Sequence, residues 1–365
     1  MKLIVLSSSR ADYGIYYPLL KKLRSDPFFE LQIIAFGSHL SIDHGETIHE
    51  IIDDGFKIIK SISPSIKVKY PKDISKEISY VIHEFTDVWT QIDVDLIIAL
   101  GDRYEMFAAC VASIPFNIPI AHIHGGETTK GAFDEIFRGS LSLMANYHFP
   151  STIKYANRIK NIIGSSKNIF TVGALSIDNL KNETLYNIET IKKLFGFNLL
   201  TPTVLVTFHP ETKNHKSNRN YIKELLEAIK ENKDYNYLIT FPNMDTYGKV
   251  IKEEIILFSK NHSNINCIES LGRVGYLSCL KYCEFVLGNS SSVFVEASYF
   301  SKYVINIGDR QKGRIRTKNI YDCKINKKEI IRAIKNFKNY QVFNDESIYG
   351  NGNTAYEIIE NLKKI

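Results

Sequence analysis

Short runs of apolar residues alternate along the chain with longer segments that have helical hydrophobic spacing. Leu3–Leu6 is such a run, Tyr16–Arg24 has the spacing of a helix, and Leu31–Phe36 is the next run. A strand, a helix and a strand in this order predict a parallel sheet covered by helices. Further strands are predicted at 95–100, 120–124, 203–208, 237–241, 285–287 and 304–307, and helices at 105–113, 221–230, 249–260 and 355–365.

The same plan occurs in both halves of the chain. It predicts an α/β fold of two Rossmann-like domains whose parallel sheets face a central cleft. We place the first domain at residues 1–173 and the second at 174–350, with a hinge at 172–178 around Gly173. Residues 351–365 are predicted to form a C-terminal helix that packs back on the first domain. Ligands of such sheets bind beyond the carboxyl ends of the strands, so the loops there hold the candidate site.

Composition and charge exclude several classes of protein. The 365 residues are 44% hydrophobic and 24% charged, which is typical of a globular protein. The net charge of +6 is too small to indicate nucleic-acid binding and is compatible with an anionic substrate. Met1–Leu6 is too short for a signal-peptide core, and the longest apolar region, Met106–Ile123, is interrupted by two prolines, so we expect no membrane segment. The five cysteines form no CxxC pair, which predicts reduced thiols in a cytoplasmic protein.

The stretch from Phe285 to Glu296 combines a buried strand, a break at Gly288 and a helix start that is rich in serine. Ser290 and Ser291 are predicted to lie in the first helical turn, where unpaired N–H groups and the helix dipole favour a phosphate. Glu296, about two turns along, is placed to bind a sugar attached to that phosphate. Serine and asparagine are also common helix caps, and this purely structural interpretation stays open.

Two cationic positions are candidates to complete a site for a diphosphate. Arg10 follows the first strand, and Arg310 begins the stretch Arg310–Lys318, in which five of nine residues are cationic. A plain surface arginine and a solvated basic loop are the alternatives. The chain lacks the interleaved aromatic platform of single-strand nucleic-acid binders, so we favour phosphate and expect no nucleic-acid partner.

Carboxylates follow strands or glycine turns of the predicted first domain. Asp102, Glu127 and Asp134 suit proton transfer and the stabilisation of positive charge on a sugar ring. Asp102 and Asp134 are equally suited to cap helices. In the second domain, His209 follows a strand and is a candidate to donate a proton or a hydrogen bond to a leaving phosphate.

The sequence also bears on whether the protein holds a metal ion or a common cofactor. His122 and His124 share one face of the predicted fourth strand, and Glu127 follows, which is a common beginning of a metal site. No third convincing ligand is visible, so we expect no metal. No G-x-G-x-x-G occurs in the right context, and G-x-x-x-x-G-K-[ST] and G-x-S-x-G are absent, which argues against NAD enzymes, P-loop NTPases and α/β-hydrolases. We expect no cofactor.

Seven motifs follow one another along nearly the whole chain. They are Ser9-Arg-Ala-Asp-Tyr-Gly14, Leu100-Gly-Asp-Arg-Tyr-Glu105, His122-Ile-His-Gly-Gly-Glu127, Phe208-His-Pro-Glu-Thr212, Gly288-Asn-Ser-Ser-Ser292 with Glu296, Asn306-Ile-Gly-Asp-Arg-Gln-Lys-Gly-Arg314 and Tyr349-Gly-Asn-Gly-Asn353. In this order they resemble the bacterial hydrolysing UDP-N-acetylglucosamine 2-epimerases of sialic-acid biosynthesis. The resemblance implies the GT-B fold, with UDP held mainly by the second domain and the sugar in the cleft.

The resemblance also implies roles for single residues. Glu296 is implied to accept a hydrogen bond from the ribose, and Asp102 and Asp134 match catalytic carboxylates. Many relatives have a glutamate where His124 stands, so either His124 or Glu127 takes its catalytic role. The implied contacts to phosphate, diphosphate or sugar are Arg10, Arg103, His209, Asn243, Ser290, Ser291 and Arg310.

The implied reaction has two stages: UDP is eliminated across carbons 1 and 2 of UDP-N-acetylglucosamine, and water then adds to the glycal-like intermediate with inversion at carbon 2. The products are N-acetylmannosamine and UDP. A UDP- or GDP-linked 2,4-diacetamido-trideoxyhexose of the legionaminic acid pathway is the alternative substrate. A GT-B glycosyltransferase and a non-enzymatic nucleotide-sugar sensor are more distant alternatives. The resemblance suggests a homodimer or homotetramer.

Overall fold

The computed structural model describes residues 1–42, 45–211, 215–242, 248–341 and 346–365. In these residues the chain forms two six-stranded sheets whose strands pair in parallel. The predicted α/β class with two Rossmann-like sheets is therefore confirmed. No helix in these ranges is long and apolar enough to cross a membrane.

The first sheet contains strands β1 to β6 in the order β3-β2-β1-β4-β5-β6. Its strands are β1 (Lys2–Ser7), β2 (Glu30–Phe36), β3 (Ile58–Ile62), β4 (Leu96–Leu100), β5 (Ile120–Ile123) and β6 (Tyr147–Phe149). The accompanying helices are α1 (Arg10–Ser25), α2 (Ile48–Asp53), α3 (Pro71–Gln91), α4 (Tyr104–Ser113), α5 (Asp134–Met144), α6 (Ile153–Ile163) and α7 (Leu175–Asn182).

The second sheet contains strands β7 to β12 in the order β12-β11-β10-β7-β8-β9. Its strands are β7 (Thr203–Thr207), β8 (Asn236–Thr240), β9 (Ile265–Ile268), β10 (Phe285–Gly288), β11 (Tyr303–Ile307) and β12 (Ile320–Cys323). The remaining α-helices are α8 (Ile188–Phe195), α9 (Asn218–Glu231), α10 (Gly248–Ser259), α11 (Gly272–Tyr282), α12 (Ser292–Tyr299), α13 (Lys327–Asn336) and α14 (Thr354–Leu362). Short 3₁₀ helices occur at Gly37–Leu40, Ile114–Phe116, His215–Ser217, Phe337–Asn339 and Glu346–Tyr349.

Both sheets have the strand order of a doubly wound nucleotide-binding fold. In each sheet, successive strands are first added on one side of the first strand and later ones on its other side. The switch lies between β1 and β4 in one sheet and between β7 and β10 in the other. Ligands of open parallel sheets bind beyond the carboxyl ends of the strands at this switch point. The polar loops that follow these four strands are therefore the first places to look for a site.

Alternation along the central strands places apolar side chains on both faces of each sheet. In β1, Leu3 and Val5 belong to one buried cluster, and Ile4 and Leu6 belong to another. The second sheet also separates two buried clusters, to which β7 contributes Val204 and Val206 on one side and Leu205 on the other. Burial on both faces explains why the central strands read as continuous apolar runs.

The chain divides into two compact units. The first unit contains Met1–Glu127, Asp134–Lys181 and Ser347–Ile365, and the second contains Thr128–Phe133 and Asn182–Glu346. The short segment Thr128–Phe133 belongs with the second unit because its backbone packs on the loop after β11. Lys130 donates its backbone N–H to the Lys312 carbonyl oxygen at 2.9 Å, and a Cβ atom on Gly131 would lie 2.1 Å from the Asp309 carbonyl oxygen.

Within the first unit, α14 packs on α1 and buries Ala355, Ile358 and Leu362. The Asp178 carboxylate of α7 accepts hydrogen bonds from the backbone N–H groups of Thr354 and Ala355, at 3.0 and 2.8 Å. Because the first N–H groups of a helix have no partner inside the helix, this carboxylate serves as the cap of α14. The contact joins the end of the chain to the segment just before residue 182.

The first helix begins earlier than the sequence predicted. Helical spacing is predicted only for Tyr16–Arg24, but α1 begins at Arg10, because the Ser9 side chain caps it by accepting from the Asp12 N–H at 3.3 Å. Asp12 in turn accepts a hydrogen bond from the Ser8 N–H at 3.0 Å. Arg10 is therefore the first helical residue beyond the carboxyl end of β1.

Candidate functional site

In the first unit, Arg138 of α5 connects three sequence-predicted positions. Its guanidinium binds the Asp102 carboxylate, which follows β4. It also donates to the His124 carbonyl oxygen at 2.8 Å and lies 3.8 Å from Glu127 Oε2. Arg138 is only 3% exposed, so these interactions take place in a largely desolvated setting in which charge-assisted hydrogen bonds are strong.

His124 and Glu127 are directly paired. His124 Nδ1 lies 2.7 Å from Glu127 Oε1, and the Ser151 hydroxyl donates to the same oxygen at 3.3 Å. His124 has a φ of +61°, a left-handed conformation that is uncommon outside glycine. Its backbone is held there by the hydrogen bond from the His124 N–H to the Phe149 carbonyl oxygen. His124 and Glu127 thus lie together at the carboxyl end of β5.

The expectation that His122 and His124 share one strand face is wrong, because β5 ends at Ile123 and His124 adopts a different backbone conformation. His122 Nε2 lies 2.8 Å from the Gly101 carbonyl oxygen, and its Nδ1 lies 3.2 Å from the Ser142 hydroxyl. Burial lowers the pKa of His122 to about 3, so the ring is neutral. Among the described residues, no three histidine, cysteine or acidic side chains are grouped to hold a metal ion.

Asp134 is the first residue of α5, one helical turn before Arg138. The next residue, Glu135, binds Arg158 of α6 at 2.6 Å. Arg158 also donates to the Glu127 carbonyl oxygen at 2.5 Å. The same guanidinium therefore fixes both the start of α5, where Asp134 lies, and the backbone of Glu127.

Arg10 and Arg103 both lie near the carboxyl ends of β1 and β4. Arg103 pairs with Glu105 at 2.8 Å and keeps 27% of its side chain exposed. Both guanidiniums act on the buried ring of His39: burial is the main cause that lowers the pKa of His39 to about 4, and the two positive charges contribute to that shift. This edge of the sheet therefore carries two cations near one buried, neutral histidine, an environment that favours an anionic ligand.

In the second unit, Asn289 joins the loops that follow β7 and β10. Its amide accepts from the His209 backbone N–H at 2.7 Å and donates to the His209 carbonyl oxygen at 2.9 Å. The adjacent Gly288 has a φ of +148°, and a Cβ atom there would lie 1.9 Å from the Thr207 carbonyl oxygen. Close approach of β7 and β10 thus requires glycine at this position, and it places His209 beside the serine segment.

The predicted serine site is placed at the start of α12, although the helix begins later than predicted. Ser290 and Ser291 precede the first helical residue, Ser292, and Ser291 makes no side-chain cap. The Ser292 hydroxyl lies 2.6 Å from the hydroxyl of the half-buried Tyr276 and 3.0 Å from that of Ser290. Glu296 lies on α12, four residues after Ser292. The ordinary capping interpretation is not supported for Ser291.

The loop after β11 holds Arg310 against the loop after β7. The Arg310 N–H donates to Glu211 Oε1 at 3.0 Å, and its guanidinium donates to the Pro210 carbonyl oxygen at 2.6 Å. Burial raises the pKa of Glu211, while Arg310 opposes that shift. Arg310 is thereby fixed against the segment that immediately follows His209.

The basic stretch Arg310–Lys318 is not a uniformly solvated loop. Arg314 is 9% exposed and donates to Gln311 Oε1 at 2.8 Å. Arg316 pairs with Asp322 at 2.7 Å and lies 4.8 Å from the centre of the Phe294 ring. These two guanidiniums therefore stabilise the loop itself.

One predicted contact, Asn243, lies outside the described residues. Two contributors were not predicted: Arg138, which joins Asp102 to His124, and Tyr276, whose hydroxyl meets Ser292. A signal for Arg138 was available, because it follows Asp134 by four residues and therefore lies on the same helical face. Nothing local in the sequence indicates Tyr276, which lies on the preceding helix, α11.

Comparison with known proteins identifies relatives of this chain. The family described as "UDP-N-acetylglucosamine 2-epimerase" matches residues 21–363. "GDP/UDP-N,N'-diacetylbacillosamine 2-epimerase (hydrolyzing)" of Campylobacter jejuni is 35% identical over 89% of this chain and 85% of that protein. "Polysialic acid biosynthesis protein P7" of Escherichia coli is 34% identical over 91% of this chain and 85% of that protein. "UDP-N,N'-diacetylbacillosamine 2-epimerase (hydrolyzing)" of Legionella pneumophila is 30% identical over 100% of this chain and 96% of that protein.

Solved structures show the same fold. The UDP-GlcNAc 2-epimerase of Neisseria meningitidis bound to UDP-GlcNAc aligns with a TM-score of 0.83 and 20% identity, over 100% of both chains. The Methanocaldococcus jannaschii UDP-GlcNAc 2-epimerase in complex with UDP-GlcNAc and UDP aligns with a TM-score of 0.84 and 20% identity, also over 100% of both chains. The expected GT-B type of fold is confirmed by these likenesses.

Proposed function

Because this chain belongs to the UDP-N-acetylglucosamine 2-epimerase family, we propose that it is a hydrolysing 2-epimerase that releases UDP and the free 2-epimer of a 2-acetamido sugar. The proposal depends most on one observation: Asp102, His124 and Glu127 are gathered around the buried guanidinium of Arg138. Two acidic groups and an imidazole at the carboxyl end of a parallel sheet suit repeated proton transfer. A sensor, which only binds its ligand, has no need of such a group.

The first unit supplies the groups for the chemistry at the sugar. The proton at carbon 2 is a very weak acid, so departure of the diphosphate runs ahead of its removal and leaves positive charge on the ring. Asp102 and Asp134 would stabilise this charge and move protons. Arg138 would hold the Asp102 carboxylate in position, because its guanidinium binds that carboxylate directly.

The second unit supplies the groups for the nucleotide. Ser290 and Ser291, at the start of α12, offer hydroxyls and helix N–H groups to the β-phosphate. His209 and Arg310 would stabilise the departing diphosphate, and Glu296 would accept a hydrogen bond from the ribose. Arg10 and Arg103 of the first unit are further candidates for anion contacts. These steps require no metal ion and no redox cofactor.

Two substrates are proposed. The first is UDP-N-acetylglucosamine, which would give N-acetylmannosamine for sialic acid biosynthesis. The second is a UDP- or GDP-linked diacetamido-trideoxyhexose, and the names of the Campylobacter and Legionella relatives favour it. We also propose a cytoplasmic homodimer or homotetramer. The five free cysteines support a reducing compartment, and the family resemblance supports the oligomer.

Release of UDP in the absence of any acceptor tests the proposed reaction. Purified protein is incubated with UDP-N-acetylglucosamine and, separately, with UDP-N,N′-diacetylbacillosamine, and UDP is measured by a coupled assay. We expect UDP release from at least one of the two, and the ratio of the kcat/KM values identifies the substrate. Release that requires an added acceptor would contradict the proposal, since it would indicate a transferase. The Asp102→Asn variant is the control for a contaminating hydrolase.

A further inference from the structure

The hydrogen bond between His124 and Glu127 fixes the form of the imidazole. A carboxylate only accepts hydrogen bonds, so Nδ1 of His124, at 2.7 Å from Glu127 Oε1, is the nitrogen that carries the proton. In a neutral ring, the other nitrogen, Nε2, is then an acceptor with its lone pair available. Glu127 thereby selects the tautomer, as a carboxylate does for the histidine of a catalytic triad.

Nε2 of His124 has no hydrogen-bond partner among the described residues, although the atom is buried and the residue is only 8% exposed. A buried acceptor without a partner is unfavourable, so such an atom indicates a bound water or a ligand group. Among the same described residues, the Nε donor of Arg138 is also buried and without a partner, on the guanidinium that donates to the His124 carbonyl oxygen.

Glu127 is poorly suited to act as the base itself. Its side chain is 4% exposed, and Oε1 accepts from both His124 Nδ1 and the Ser151 hydroxyl. Oε2 faces the Arg138 guanidinium at 3.8 Å. Both carboxylate oxygens are therefore engaged by positive or hydrogen-bonding groups, whereas the imidazole of His124 presents a nitrogen that is not engaged.

We propose that His124 Nε2 is the general base of the hydration step and that Glu127 is its positioning residue, an inference that depends on the proposed hydrolysing reaction. In this step an acid donates a proton to carbon 2 of the glycal, on the face opposite to the one from which the carbon 2 proton was removed. This leaves positive charge at carbon 1. Water then forms its C–O bond at carbon 1, and its released proton goes to Nε2. The earlier removal of the carbon 2 proton and the cleavage of the carbon 1–oxygen bond, whose electron pair leaves with UDP, use other groups.

The tautomer is tested without turnover. Histidine labelled with ¹⁵N in the wild-type protein gives signals for both ring nitrogens, and those of His124 are assigned by their loss in His124→Gln. We expect Nδ1 to be protonated and Nε2 unprotonated in the wild type, and a shift toward the Nε2–H form in Glu127→Ala. His122 is the internal reference and should not change, because its two nitrogens have their own partners. A wild-type spectrum with Nε2 protonated overturns the proposal.

The division between elimination and hydration is tested with the substrate that the wild type uses. We expect His124→Gln and Glu127→Ala to release UDP but to accumulate the glycal, with formation of free sugar reduced by about 10²-fold or more. Glu127→Gln keeps an acceptor for Nδ1–H and should retain more hydration than Glu127→Ala. His83→Gln, an exposed substitution on α3, is the matched control with unchanged activity.

Two other outcomes are informative. If Glu127→Gln is as inactive in hydration as Glu127→Ala while His124→Gln stays active, Glu127 is the base and the proposal fails. Loss of UDP release together with loss of glycal in His124→Gln would place His124 in the elimination step instead, and that also overturns it. If the wild type releases UDP from no nucleotide sugar, the proposed function fails. The ¹⁵N measurement then still shows whether Glu127 selects the tautomer of His124.

Discussion

The Arg138 guanidinium is joined to the Asp102 carboxylate, although the two residues are 36 positions apart in the chain. Arg138 lies on α5 and Asp102 follows β4, so the contact joins a helix to the carboxyl edge of the first sheet. Arg138 is buried and the Asp102 side chain is 22% exposed, so removal of Asp102 would leave the Arg138 charge desolvated. The pair therefore fixes the position of the Asp102 carboxylate.

Replacement of Arg138 by methionine should reduce kcat by about 100-fold, which is the size of effect seen when one preorganised charge-stabilising group is lost. The free energy of unfolding should fall by about 1–3 kcal/mol, because the carboxylate of Asp102, whose side chain is 22% exposed, is left without its partner. The double variant Arg138→Met with Asp102→Asn should recover part of the stability but none of the activity. Arg219→Ala removes an arginine that is 58% exposed and serves as the control, with neither quantity changed. Full activity in Arg138→Met would contradict this role.

Asn289 is expected to matter through its two bonds to the His209 backbone. Asn289→Asp keeps the acceptor but loses the donor to the His209 carbonyl oxygen, and Asn289→Ala loses both. We expect a loss of about 1–3 kcal/mol of stability for the alanine variant, since the buried His209 N–H is then left without a partner. KM for the nucleotide sugar should rise in the order wild type, aspartate, alanine. Equal KM values in the three proteins, measured by initial rates, would show that the two hydrogen bonds from Asn289 do not position His209 for the nucleotide.

The apolar runs of the sequence predicted the central strands because burial on both faces leaves a continuous hydrophobic signal. The strands at the sheet edges, β3, β6, β9 and β12, were not predicted. They are short, and β3 mixes exposed polar residues with isoleucine, so its pattern is not distinct from that of a loop or helix segment.

Single motifs likewise predicted where polar groups follow strands, but not how they pair. Asp102, Glu127 and His209 were found from their place after strands. The link of Asp102 to Arg138, the clamp of Asn289 on His209 and the pairing of Arg316 with Phe294 and Asp322 depend on contacts between separate elements. Such tertiary contacts leave no periodic signal in the chain, so the sequence alone does not show which of these side chains pair.

Acid should destabilise the first unit through its buried histidines. Burial lowers the pKa of His39 and His148 to about 4 and that of His122 to about 3, so all three are neutral when folded. As the pH falls below about 6.5, the unfolded chain binds these protons before the folded chain does. The stability that the neutral rings contribute is therefore present above this pH and is lost as the pH falls further to about 3–4. At pH 5 the cost is about 2 kcal/mol for each ring.

Two buried carboxyls act in the opposite direction. Burial raises the pKa of Asp12 and Asp178, so the folded state binds these protons more readily and gains stability as the pH falls. Urea unfolding at pH 7.5 and pH 5 should therefore show a net loss at the lower pH. His39→Gln should show a smaller loss than the wild type, and the exposed variant His83→Gln the same loss as the wild type. An unchanged pH dependence in His39→Gln would contradict the assignment.

Proton NMR of the purified protein in deuterated water, with UDP-N-acetylglucosamine and then with the diacetamido nucleotide sugar, tests the central claim most directly. Elimination followed by hydration predicts free UDP together with a free sugar that is inverted and deuterated at carbon 2. Free UDP with an undeuterated sugar of unchanged configuration would instead show simple hydrolysis of the sugar–phosphate bond and would contradict the account.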